Sequence, residues 1–136
     1  MNREKAIQAA YFLLRVVSGL LLFQSGAMKM FGWFGGMPPG STLNTQMTIA
    51  GILEVGGGTL IMLGLFTRPM AFILSGMMAV AYFQFHQPNG RWPIQNHGMP
   101  AVLLCFIFLF MSGYGGGEWC LDALIWGKRE DASAAE

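Results

Sequence analysis

The chain has 136 residues, of which 54% are hydrophobic and only 11% charged, and it carries a formal net charge of +1 with a mean hydropathy of +0.48. Water-soluble domains carry about 25% charged residues, so this sequence lacks the polar surface that a soluble globule needs, and its near-zero charge offers no basic patch to nucleic acid. These figures imply an integral membrane protein with a single domain over residues 1–136 and the lipid bilayer as its main partner.

The first apolar run spans about 6–28 (AIQAAYFLLRVVSGLLLFQSGAM). It exceeds the length of about 20 residues that crosses a bilayer. Arg15 interrupts it and no small-x-small cleavage site follows, so a resident helix is expected rather than a removed signal peptide. The connection 29–47 is rich in Gly and Pro, which is turn chemistry. It also holds Met30, Phe31, Trp33 and Phe34, so it is expected to lie in the membrane interface or fold back.

A second run covers about 48–66 and a third about 67–87, joined by the tight turn 67–69. Pro69 suits the first turn of the third helix, where a missing N–H costs nothing. A second long connection, 88–98 (PNGRWPIQNHG), leads to a fourth run at about 99–116. Beyond it, 118–127 is a short amphipathic segment with Leu121, Leu124 and Ile125 on one side and Asp122 on another, suited to the interface or to a partner. No period of two suggests a barrel, and lipid cannot satisfy open backbone groups, so the expected fold is an all-α integral membrane four-helix bundle.

Lys and Arg set the orientation. Arg3, Lys5, Arg68, Lys128 and Arg129 fall on the side of the termini, against Lys29 and Arg91 on the other, which predicts both termini in the cytoplasm. Trp33 and Trp92 then mark the outer interface, and Trp119 and Trp126 the inner one. Cys105 and Cys120 lie roughly 22 Å apart if the helix continues between them. That is too far for a disulfide.

Between Glu4 and Glu118 the one acidic residue is Glu54, inside AGILEVGGGTLIMLGLF. An ionisable group in a spanning helix is costly and usually faces a partner or cavity. Counting down about 1.5 Å per residue from Met28 and Thr48 places Glu54 about 9 Å, Gln24 about 6 Å and Arg15 about 20 Å below the outer boundary. The candidate polar cluster is therefore Glu54, Lys29, Arg15, Gln24, His86 and His97, with Lys29–Glu54 as the preferred ion pair. Arg15 acts at longer range or bonds to Thr59, Ser75 and backbone carbonyls. Two readings of the cluster stay open. It is either a ligand or proton site, or structural glue, since Gly51, Glu54 and Gly58 share one helix face at a spacing typical of membrane helix seams. For His86 and His97 the bland alternative is simple wetting at the interface. No metal site is expected, because a bound metal needs about three close ligands or more and no such histidine or carboxylate spacing occurs. No catalytic motif is present.

The pattern Arg15-x-x-x-Gly19, Gly26-x-x-Lys29-x-x-Gly32, Ala50-Gly51-x-x-Glu54-x-x-Gly57-Gly58, Gly64-Leu65-Phe66-Thr67-Arg68, Ala79-x-Ala81 and Cys120-Leu121-Asp122 resembles the DoxX family over about Arg15 to Leu124. The resemblance implies a small four-helix protein of the bacterial inner membrane. The family is linked to membrane subunits of thiosulfate:quinone oxidoreductases and to redox partnerships with cytoplasmic proteins. Many relatives read Asn-Gly-Gly-Glu where this chain has Asn96-His97-Gly98-Met99, so a second outer carboxylate is absent.

Two function classes follow. One is a quinone- or lipid-interacting subunit of a membrane redox complex, with quinone as the candidate ligand, a soluble redox partner on the cytoplasmic side and homo-oligomerisation open. Its pocket would lie between the first three helices, where Glu54, Lys29 and His86 reach a quinone oxygen. No flavin, haem or iron–sulfur ligands are encoded, so electrons come from a partner. The other is a non-catalytic membrane scaffold or assembly subunit. A transporter ranks below both, because four helices without a repeat give little for alternating access.

Overall fold

The computed structural model describes residues 1–134, with side chains as far as residue 127. Regular structure among the described residues is helical throughout. Helix α1 (Arg3–Phe31) begins where the Asn2 side chain accepts the Lys5 amide at 3.0 Å, and ends at Gly32 in the left-handed conformation. Helix α2 (Thr45–Leu63) is capped the same way, with the Met47 amide donating to the Asn44 side chain at 2.8 Å and Gly64 closing the far end. Both helices start ahead of the apolar runs at 6 and 48, because the capping residues sit in polar flanks that hydropathy discounts.

Helix α3 (Thr67–Ala81) continues without a break into a π-helical turn, Tyr82–His86. The connection after it is partly helical, with a 3-10 turn at Gln87–Asn89 and the single-turn helix α4 (Pro93–Asn96). Helix α5 (Met99–Tyr114) follows. The segment expected to be a short amphipathic piece over 118–127 is instead helix α6, Leu121–Ala134. Lys128 and Arg129, which weigh in the expected orientation, have side chains outside the described residues.

Helices α1 and α2 are long and apolar enough to cross a membrane, and α5 is apolar but shorter. The outward faces of α1, α2, α3 and α5 are themselves apolar: Leu13, Leu21, Ile52, Phe72, Ile73, Leu103, Phe106 and Phe110 are all exposed. Soluble monomers rarely expose apolar surface so continuously. Inside, by contrast, Arg15 is 1% exposed and Glu54 4%. Apolar outside and charged inside is the distribution a hydrocarbon solvent selects. Exposed Trp33 and Trp92 sit at one end and Trp119 and Trp126 at the other, as interfacial belts do. Trp33 also meets Phe23 edge-on at 6.2 Å, so the loop after α1 folds back on that helix.

The helices pair as two hairpins. α1 packs chiefly on α2, and α3 chiefly on α5, while α1 and α5 scarcely touch. Glycine makes the first seam: a Cβ on Gly58 would stand 2.7 Å from the Gly19 carbonyl oxygen and 2.9 Å from the Phe23 nitrogen. Tyr11, Leu22, Ile61, Leu74, Met78, Phe108 and Met111 form the buried apolar core between the hairpins. Both cysteines are free thiols.

Candidate functional site

The end of the bundle that carries the two long connections holds the ion pair. Lys29 lies in the last turn of α1, where the helix dipole favours a cation. Glu54 lies in α2. Lys29 Nζ donates to Glu54 Oε1 at 2.7 Å and Oε2 at 2.8 Å, with the lysine side chain 18% exposed. The approach depends on Gly26, one turn before Lys29: a Cβ there would fall 2.7 Å from the Val55 nitrogen and 2.8 Å from the Glu54 Cβ. A low-dielectric setting makes each charge expensive alone and strongly attractive to its opposite. The pair is thus mutually obligatory.

A cavity of about 1010 Å³ opens beside this pair, between the two hairpins. Lys29, Glu54, Ser25, Gln46 and His86 gather towards one end of it. From Leu14, another lining residue, to Lys29 the wall follows α1 for about 22 Å at 1.5 Å per residue. Away from the polar end the lining is apolar apart from the buried Ser18, and several of its residues, including Leu21, Val80 and Leu103, are also exposed on the outer surface. The cavity therefore opens sideways to the surroundings of the bundle. Its volume matches the upper range of small-molecule sites, which are mostly apolar with a few placed polar groups.

The remaining expected residues divide. His86 joins the site from the π turn, its Nδ1 lying 3.2 Å from the Asn96 carbonyl oxygen. Gln24 does not: no hydrogen bond links it to Glu54 among the described residues. It stands two residues from Gly26, nearly opposite on the helix, so it faces away from the seam. His97 does not join either; it is exposed, and its left-handed backbone (φ 59°) ends α4. Neighbouring Asn96 is buried instead, donating to the Gly90 carbonyl at 2.9 Å and the Tyr82 hydroxyl at 3.3 Å while accepting from the Gly98 amide at 2.9 Å. Ser25 and Gln46 are site residues that the sequence reading misses. Gln46 falls outside a helix drawn from 48, and Asn44 as an N-cap ahead of the apolar run is the signal that recovers it. Its side-chain amide donates to that of Gln84 on the π turn.

Arg15 belongs to a different structure at the opposite end. Its Nε donates to the Ile61 carbonyl at 3.0 Å, one Nη to the Trp119 carbonyl at 2.8 Å, and the other to the Gly116 carbonyl. The carbonyl part of the expectation holds, whereas Thr59 bonds to Val55 and Ser75 to Cys105. Around this cage Tyr11 donates to the Gly115 carbonyl, and Gln8 donates to the Tyr114 hydroxyl at 2.8 Å. Asp122, within the segment expected to suit the interface or a partner, is occupied by its own chain: it accepts the Phe66 amide at 2.7 Å and the Thr67 amide at 2.9 Å. Phe66 is held at φ 50°, a conformation costly for a bulky residue, and the carboxylate secures it. A second cavity of about 710 Å³ adjoins this clasp, lined by Gln8, Arg68, Glu118 and Cys120 among others. No group of three or more His, Cys, Asp or Glu side chains is placed to hold a metal among the described residues.

The model of the DoxX family matches residues 10–87, which include Arg15, Lys29, Glu54 and His86. The chain is also similar to a protein of Haemophilus influenzae described as uncharacterized, at 38% identity over 119 residues, covering 82% of this chain and 89% of that one. No solved structure matches it.

Proposed function

The chain belongs to the DoxX family and is a membrane protein, and from that premise we propose that it is an inner-membrane subunit which binds a lipid-soluble molecule, a quinone or a lipid, for a redox complex. In this reading the chain crosses the bacterial inner membrane several times as a four-helix bundle, with both termini in the cytoplasm. The observation that carries it is the cavity: a long apolar wall, lateral openings, and one polar end built around Lys29 and Glu54. Such a shape suits a tail lying along the helices and a polar head at the ion pair. The chain encodes no electron-carrying group of its own, so electrons reach a bound quinone from a soluble partner. That partner docks on the cytoplasmic side, where the clasp and the second cavity lie.

The reading is tested by titrating purified protein with a short-chain ubiquinone or menaquinone analogue. Wild type should bind saturably. Ala81→Phe, which drives a ring into the cavity, and Glu54→Gln, which disturbs its polar end, should both lose binding while the helical spectrum persists. Absence of saturable binding in wild type overturns the reading.

A second reading, in which the protein is a non-catalytic scaffold and the charges serve packing alone, draws on the glycine seam that sets Gly26 against Glu54. Under it, Glu54→Gln abolishes folding and no analogue binds at any concentration.

A further inference from the structure

The polar end of the cavity is not symmetric in what it offers a ligand. The partner of His86 Nδ1 is a backbone carbonyl, which can only accept, so Nδ1 carries the proton. A neutral imidazole has one donor and one acceptor nitrogen. In the neutral ring Nε2 is then the acceptor, and it has no hydrogen-bond partner among the described residues. The ring cannot easily turn to exchange the two. It stacks on Tyr82 with centroids 6.4 Å apart, and both rings are tied to Asn96, His86 through that residue's carbonyl and Tyr82 through its side chain. The π turn brings His86 to the wall of the cavity, and such turns recur at functional sites.

Of the other groups there, the Ser25 hydroxyl can donate or accept and so does not discriminate between heads, and the charged and amide groups have partners within the chain. The Lys29 ammonium covers both Glu54 oxygens, and Gln46 is bonded to Gln84. From this asymmetry we infer that His86 selects a ligand whose head carries a hydroxyl, which donates to Nε2, over one whose head carries only carbonyl or ether oxygens. The inference rests on the cavity being a ligand site and names the chemical class that the site takes. Two sources supply a lipid-soluble hydroxyl: the phenolic hydroxyl of a hydroquinone and the alcohol of a glycerolipid.

The test titrates full-length wild type, His86→Phe and His86→Gln under anaerobic conditions. The probes are a short-chain benzoquinone, its hydroquinone, the dimethyl ether of that hydroquinone, and a diacylglycerol. Wild type should bind a hydroxyl-bearing probe roughly ten-fold more tightly than the quinone or the ether, the scale of one hydrogen bond. Preference for the hydroquinone or for the diacylglycerol identifies the source. His86→Phe should lose the preference, and His86→Gln, which keeps an acceptor, should retain part of it. Histidine ¹⁵N spectra of ligand-free wild type should show Nδ1 protonated and Nε2 bare.

Equal binding of all four probes by wild type overturns the inference and leaves the cavity reading standing. So does a preference that survives in His86→Phe, or an Nε2–H tautomer. Failure of every probe to bind overturns both.

Discussion

Glu54 and Lys29 depend on each other, and their energetics make a sharp prediction. Removing one partner of a buried ion pair leaves an uncompensated charge, at a cost of about 3–5 kcal/mol, whereas replacing both with apolar side chains of similar size is often close to neutral. Glu54→Leu and Lys29→Met should each lower the thermal midpoint markedly, and the double variant should recover most of the loss. A double-mutant cycle on detergent-solubilised protein measures the coupling. Losses that simply add would show that the two charges do not stabilise one another. Asp122 is the other carboxylate with a defined task. It accepts two amides at the start of α3, so Asp122→Ala should cost about 1–2 kcal/mol, the upper part of the range for a lost helix cap, with Asp122→Asn intermediate. The ion pair is legible in the sequence because a lone acid in an apolar run must answer a cation, and the count along two helices finds one. The task of Asp122 is not, since nothing local to residues 118–127 reveals that the chain doubles back onto Phe66 and Thr67.

Helix pairing turns on where glycine is required and where it is incidental. A methyl on Gly58 would strike the backbone of α1 at Gly19 and Phe23, which cannot yield without moving the helices apart. Gly58→Ala should therefore cost about 1–3 kcal/mol, as overpacking does, and should loosen α1 from α2. Gly56, two residues away, has nothing within 4 Å of the same added atom. Gly56→Ala should leave stability unchanged or raise it by up to about 1 kcal/mol through helix propensity. Chemical unfolding of both variants, with retained secondary structure followed by circular dichroism, checks the contrast; a larger loss for Gly56→Ala would contradict the seam. Apolar runs reveal the long helices, but their ends depend on Asn2, Asn44, Gly32 and Gly64, which hydropathy does not weigh. The π turn at Tyr82–His86 leaves no mark at all in an apolar pattern. That is why His86 can be named from sequence without the geometry that gives it a role.

On the scale of the whole molecule, the arrangement in the membrane is open to direct measurement. In a background with Cys105→Ala and Cys120→Ala, a Ser41→Cys variant should react with a membrane-impermeant maleimide in intact cells. Glu4→Cys should react only after the cells are opened. The reverse pattern would place the ion pair at the cytoplasmic face. Depth counting sets Arg15 about 11 Å below Glu54 yet keeps it in one cluster with the ion pair, and it cannot foresee the cage of carbonyls from Ile61, Gly116 and Trp119, because these come from the last turn of α2 and from the connection after α5, whose path no periodicity encodes. That cage has a mechanical result. It rivets the two hairpins together at one extremity, while at the other the described polar link across the groove is the hydrogen bond from Gln46 to Gln84. With a lever about 20 Å long from Arg15 to Lys29, one degree of splay shifts the far tips by about 0.4 Å. On the proposed reading, a guest entering from the side would need a few degrees of parting and release of the Gln46–Gln84 bond, with the Arg15 cage intact.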